Sequence, residues 1–132
     1  MIGILGTGAF GTALAVSLCA SHPRVLLWGR NADLAADIQV SRVNRRRLPD
    51  IPLPDNLTIT AELDTVLAAE TLLLAVPMQQ LSTVLQSIAP RLAGKSLVAC
   101  CKGIDLATGL GPAEIIAQHV SVLRIVASPD AR

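Results

Sequence analysis

The chain has 132 residues, enough for one domain with a real core. Its formal net charge is +1, from 11 Lys and Arg against 10 Asp and Glu, so it carries no overall field for nucleic acid or a membrane surface. Apolar residues make up 52% of the chain and aromatics only 2%, a balance that suits buried parallel strands covered by helices; no apolar run approaches the roughly 20 residues of a transmembrane helix.

The first element is a strand over Ile2–Leu5, followed by Gly6-Thr7-Gly8 and a helix from Ala9 to Ala20 in which Phe10, Leu14 and Leu18 recur four apart. A secretory signal is disfavoured here, because the first basic residue is Arg24 and glycines interrupt the apolar run. Arg24–Trp28 reads as a second strand. Asn31 is placed to cap a helix running to about Val40, its side chain accepting from a free N–H. Asn44–Asn56 contains Pro49, Pro52 and Pro54 and reads as an extended connection. Leu57–Thr60 is a short strand and Glu62–Ala69 a short helix. Thr71–Val76 is a strand apolar on both faces, ended by Pro77. Gln79–Leu92 is a helix broken near Pro90, Ser96–Ala99 a strand, Glu114–His119 a helix and Val122–Val126 a last strand. This alternation predicts an α/β, Rossmann-type, doubly wound fold. Its mostly parallel six-stranded sheet has helices on both faces and strand order 3-2-1-4-5-6.

Within that frame Gly6-x-Gly8-x-x-Gly11 joins a strand to a helix, the context that gives such a motif meaning. Gly6 allows the tight turn, Gly8 leaves room for a pyrophosphate, and Gly11 lets the helix pack closely. The helix start then stabilises the phosphate charge. An NAD site usually places Asp or Glu about 20 residues further on, at the end of the second strand. This chain has Arg30 there, which pairs with a 2′-phosphate or stacks on adenine; that favours NADP over NAD.

Pro77 and Lys102 both follow strands at the carboxyl edge, where ligands sit in such sheets. Pro77 stops its strand and is placed to line the nicotinamide end. Lys102 is placed to neutralise a phosphate or polarise a carbonyl. Arg42, Arg45, Arg46 and Arg47 form a basic cluster without interleaved aromatics, so nucleic-acid binding is disfavoured. A solvated loop is the first reading of the cluster, and a loop edge near the cofactor's adenine end the second. His22 and His119 read as surface residues and Trp28 as a packing residue. Cys19, Cys100 and Cys101 form an odd set without C-x-x-C, so they read as apolar fillers in a reducing cytoplasm, with no disulfide scaffold and no metal site.

The segments GILGTGAFGTALA, LLWGRN, NRRRLPDIPLPDNLTIT, LLLAVPMQQL and KGIDLATG occur in order. Together they closely resemble the amino-terminal domain of bacterial NAD(P)-dependent glycerol-3-phosphate dehydrogenase, from about Ile2 to Val126. The resemblance implies hydride transfer between NAD(P)H and the phosphorylated small molecule dihydroxyacetone phosphate, giving sn-glycerol 3-phosphate for phospholipid synthesis. It implies cofactor contacts by Ala9, Phe10 and Arg30, and contact of Lys102 with substrate close to nicotinamide. The family's Gly-Pro-Ser-Phe-Ala tail is replaced here by Ser128-Pro129-Asp130-Ala131-Arg132. The family's helical second domain, with its catalytic lysine, does not follow. The expectation is therefore one dinucleotide-binding domain over 1–132, with no catalytic residue of its own, little turnover alone, and an apolar face open to homo-oligomer formation. A ketopantoate reductase domain and a non-enzymatic dinucleotide sensor are the competing readings.

Overall fold

The computed structural model describes residues 1–101 and 103–120, and the backbone of 124–127. Six short strands make one parallel sheet: β1 (Ile2–Leu5), β2 (Val25–Trp28), β5 (Leu57–Thr60), β6 (Thr71–Leu74), β7 (Ser96–Ala99) and β8 (Arg124–Ala127). Their order is β5-β2-β1-β6-β7-β8, which is the expected 3-2-1-4-5-6 when the sheet strands are counted along the chain. The register aligns Leu5 with Trp28 and Leu74, and Leu74 with Ala99. All four strands therefore end level, and Gly6, Gly29, Ala75 and Cys100 follow along one edge.

Successive side chains of a strand face opposite sides, and both sides are apolar here. Leu5, Leu26, Leu72, Leu74 and Leu97 pack on one face with α3 (Leu63–Leu67), α4 (Met78–Ile88) and α5 (Pro112–His119). Ile4, Val25, Leu27, Ile59 and Leu73 pack on the other with α1 (Ala9–Leu18) and α2 (Ala32–Ser41). In α4 the fully buried Leu81, Leu85 and Ile88 recur at helical spacing and form its core stripe. In α1 the buried face is instead Gly11, Thr12 and Ala15. Leu14 and Leu18 pack at the margin, and Phe10 is 54% exposed. Small residues let this helix lie close against the sheet.

The main departure from the sequence reading lies between α2 and β5. The proline-rich connection contains an antiparallel hairpin of β3 (Val43–Asn44) and β4 (Leu48–Pro52). Its prolines are tolerated because the ribbon has two strands only and each strand is an edge. Smaller differences are at element ends. β6 stops at Leu74 rather than Val76, α4 begins at Met78, and Pro90 sits in a 3₁₀ turn over Ala89–Arg91 after α4 has ended. α5 starts at Pro112, a residue preorganised for the first helical position. Residues 122 and 123 of the last predicted strand, Lys102 and the 128–132 tail lie outside the described residues. Among the described residues no helix is long and apolar enough to cross a membrane.

Candidate dinucleotide-binding site

The turn from β1 into α1 makes different demands at its three glycines. Gly6 donates its N–H to the Trp28 carbonyl at 2.8 Å and adopts φ 125°, a region that suits glycine. A Cβ there would lie 2.6 Å from the Ala75 carbonyl oxygen. A Cβ at Gly11 would collide with the Gly6 carbonyl oxygen and press on Ala75. The protein itself thus excludes side chains at both positions. Gly8 differs. Its φ of −66° and ψ of 178° suit any residue, and nothing lies within 4 Å of where a Cβ would stand. Gly8 is also the N-cap of α1, so no side chain caps the helix, and the first turn carries no acidic residue. The opening N–H groups of an α-helix have no intrahelical acceptor, and its dipole favours an anion at that end.

Gly8 opens onto a cleft of about 800 Å³ along the carboxyl edge of the sheet. Gly6, Gly8, Ala9, Phe10, Gly11, Arg30 and Pro77 all line it, so seven residues selected from the sequence come together. Lys102, the eighth, is outside the described residues, although Cys101 before it lines the cleft. The cleft is chemically polarised. Its cations, Arg30, Arg46 and Arg47, line it together with Trp28 and Leu34, whereas the residues that follow β6 and β7, Val76, Pro77, Met78, Gln80 and Cys100, bring no charge.

The basic cluster divides: Arg45, Arg46 and Arg47 are exposed in the hairpin turn, as the solvated-loop reading expects, and Arg42 is not. Arg46 and Arg47, in the hairpin turn, line the cleft, in keeping with the second of the two readings. Arg42 is a structural pin: it closes α2 in the left-handed region at φ 60°, and its guanidinium donates to Gln39, to the Pro54 carbonyl and, at 2.8 Å, to the Leu57 carbonyl. The histidines are half-buried rather than free on the surface, each with Nδ1 against the backbone carbonyl four residues before it. Asn31 caps α2 as expected, accepting from the Leu34 N–H at 3.1 Å, and also borders the cleft. Trp28 packs against the core and donates Nε1–H to the Ala61 carbonyl at 3.1 Å.

All three cysteines are free. Burial pushes each thiol above its ordinary range, and Cys101, buried in the core and bonded to the Leu74 and Val76 carbonyls, is pushed up to about 12. They are protonated at neutral pH and poor nucleophiles.

Sequence reading missed Thr7, Thr12 and Asn44. Thr7 lines the cleft, and Gly29 gives its side chain room, since a Cβ at Gly29 would come within 2.7 Å of the Thr7 methyl. Thr12 and Asn44 are buried and bonded to one another. Thr12 left a faint signal as a small polar residue on the buried face of α1, whereas nothing near Asn44 in sequence marks it as buried.

The donor set fits a dinucleotide. An uncapped helix start suits its pyrophosphate, arginines suit phosphate and adenine at one end, and the apolar end suits an uncharged ring. Comparison with known proteins agrees. The family model for the NAD-dependent glycerol-3-phosphate dehydrogenase N-terminus matches residues 1–127. A glycerol-3-phosphate dehydrogenase [NAD(P)+] of a Ruegeria species is 48% identical over 119 residues, covering 90% of this chain and 37% of the relative. One from Cereibacter sphaeroides is 51% identical over 120 residues, covering 89% and 34%. The crystal structure of glycerol-3-phosphate dehydrogenase from Coxiella burnetii superimposes with a TM-score of 0.85 at 30% identity, over 94% of this chain and 39% of that one. The chain spans about a third of the length of these relatives. It belongs to the NAD-dependent glycerol-3-phosphate dehydrogenase family, of which it carries the amino-terminal part.

Proposed function

We propose that this chain is the cofactor-binding part of an oxidoreductase that interconverts dihydroxyacetone phosphate and sn-glycerol 3-phosphate, with NADPH preferred over NADH, in the cytoplasmic supply of glycerophospholipid precursors. The observation that carries the reading is Gly8. It is a glycine that neither backbone conformation nor packing requires, at an uncapped helix start, beside a cleft with three arginines at one end.

The bound nicotinamide nucleotide supplies the hydride. The residues of this chain hold and orient it. The N–H groups at the start of α1 receive the pyrophosphate, and the absence of a side chain at Gly8 admits it to the backbone. Arg30, Arg46 and Arg47 receive the adenosine end, where a 2′-phosphate gains charge-assisted hydrogen bonds that a 2′-hydroxyl does not. Pro77 and its neighbours line the apolar end. Lys102, which follows the carboxyl end of β7 in sequence, is assigned to the substrate phosphate or carbonyl, where a cation offsets negative charge. The proton donor or acceptor at the substrate oxygen is assigned to the rest of the full-length enzyme.

Titration calorimetry with NADPH and NADH tests the cofactor half. NADPH should bind at least about tenfold more tightly, and Arg30→Ala should erase most of that difference while changing NADH little. Equal affinities, or equal losses on Arg30→Ala, would contradict the preference. The substrate half is tested by grafting this chain in place of the matching segment of the Ruegeria relative. The chimera should oxidise NADPH on addition of dihydroxyacetone phosphate, and a chimera that folds, binds NADPH and shows no such oxidation would overturn it.

A further inference from the structure

Asn44 is a polar residue only 1% exposed, on β3, far in sequence from the glycine turn. Its Nδ2 donates to the Thr7 carbonyl at 3.0 Å and to Thr12 Oγ1 at 2.9 Å. Thr7 belongs to the turn itself, and Thr12, fully buried, to the first turns of α1. The Asn44 backbone has a second role. Its carbonyl accepts the Arg47 N–H at 3.3 Å, closing the hairpin turn that brings Arg46 and Arg47 to the cleft. One residue therefore holds both the turn and the hairpin.

The consequence for the turn follows from peptide geometry. In a trans peptide the carbonyl and the next N–H point in opposite directions. With the Thr7 carbonyl drawn toward Asn44, the Gly8 N–H is turned away from it. Among the described residues no protein acceptor takes that N–H. The Thr12 hydroxyl also donates to the Thr7 carbonyl, at a longer 3.4 Å; without the Asn44 amide only that weak bond holds the 7–8 peptide against rotating and presenting a carbonyl oxygen where a phosphate needs a donor.

We propose that Asn44 is a positioning residue that locks the glycine turn to the arginine-bearing hairpin, so that the pyrophosphate and the 2′-phosphate of one nucleotide are received at a fixed separation. This rests on the reading of the cleft as a dinucleotide site. It makes two demands. The turn half of the lock serves both NADH and NADPH, because both carry a pyrophosphate. The hairpin half serves only NADPH, and it works through the arginines.

A double-mutant cycle measured by calorimetry separates these. Asn44→Ala keeps the backbone carbonyl but unties β3 from the glycine turn, and should weaken NADH about tenfold and NADPH about a hundredfold, each relative to the wild-type protein. In a background with both Arg46→Ala and Arg47→Ala, Asn44→Ala should weaken NADPH only about tenfold, because the hairpin half of its effect is already gone. Overturning results are affinities within twofold of wild type in Asn44→Ala, or losses on NADPH that simply multiply. If thermal melts show Asn44→Ala to be unfolded, the test passes to Thr12. Thr12→Val removes the acceptor for Asn44 together with the hydroxyl's own long bond to the Thr7 carbonyl and should weaken both nucleotides, while Thr12→Ser keeps both contacts and should bind like the wild type. Equal affinities in that pair would sink the proposal. A wild-type protein that binds neither nucleotide would overturn the cofactor reading beneath it, whereas nucleotide binding indifferent to Asn44 and Thr12 would overturn this inference alone.

Discussion

At the scale of single residues, the three glycines of the turn separate structural need from ligand need. Gly11→Ala places a methyl against the Gly6 carbonyl, so the helix must shift; overpacking of this kind costs about 1–3 kcal/mol, read as a lower urea midpoint. Gly8→Asp should behave in the opposite way. An aspartate at an N-cap accepts from the free helical N–H groups and suits the dipole, so stability should hold or rise by a few tenths of a kcal/mol. The same carboxylate takes the place of the pyrophosphate, and nucleotide affinity should fall at least about tenfold. A thermal melt and a nucleotide titration on one sample check both halves. These roles were readable in the sequence, because a glycine spacing between a strand and a helix has few physical meanings. What could not be read was the partner that crowds Gly6 and Gly11, since that depends on where Ala75 comes to lie, some 65 residues away in the chain.

At the scale of elements, apolar runs and the Asn31 cap identified the six sheet strands and the helices, and the alternation specified the strand order. The hairpin was not legible. Its strands are short and carry Pro49 and Pro52, and it is secured by contacts distant in sequence, through Arg42 and Asn44. Arg42 gives a direct test. Arg42→Ala removes donors to the Pro54 and Leu57 carbonyls, and a half-buried charge-assisted pair of this kind is worth about 1.5–3 kcal/mol. Arg42→Lys should recover little of it, because a single ammonium lacks the fork that spans two carbonyls. Urea denaturation of the two variants decides, and full recovery by lysine would contradict the pin. A second element is held by one side chain. Gln79 donates to the Ile104 carbonyl and accepts from the Leu106 N–H, both at 2.9 Å, fastening the loop after β7 to α4. Gln79→Ala should speed hydrogen exchange at Leu106 at least about tenfold while leaving exchange in the sheet unchanged, since such opening is local. Uniform acceleration across the sheet would instead mean that the loop and the core open together.

At the scale of the whole molecule, two apolar layers on a parallel sheet account for the folded state, and the buried Cys101 thiol makes its stability fall at alkaline pH. Burial first, and neighbouring Cys100 next, push the Cys101 thiol of the folded chain up from 9.0 to about 12. A raised folded value means that the unfolded chain releases the proton first. Its contribution to stability is therefore complete below about pH 9 and is lost as pH rises toward about 12. Chemical denaturation between pH 8 and 11 should show that decline, and Cys101→Ala should flatten it. The composition had already marked the cysteines as fillers, and the site was legible as far as residues next to strand ends. Arg46, Arg47 and Asn44 reach the cleft or the turn only through tertiary folding of a segment without periodicity of its own.

Cofactor binding as proposed requires an anion seated on the backbone at the start of α1. The most direct measurement is an NADPH titration of the ¹⁵N-labelled protein, followed by amide chemical shifts. The largest changes should fall on the N–H groups of Gly8, Ala9 and Phe10, with smaller ones at Arg30 and Arg47. Saturating NADPH that leaves those three amides unmoved while shifting others would contradict it.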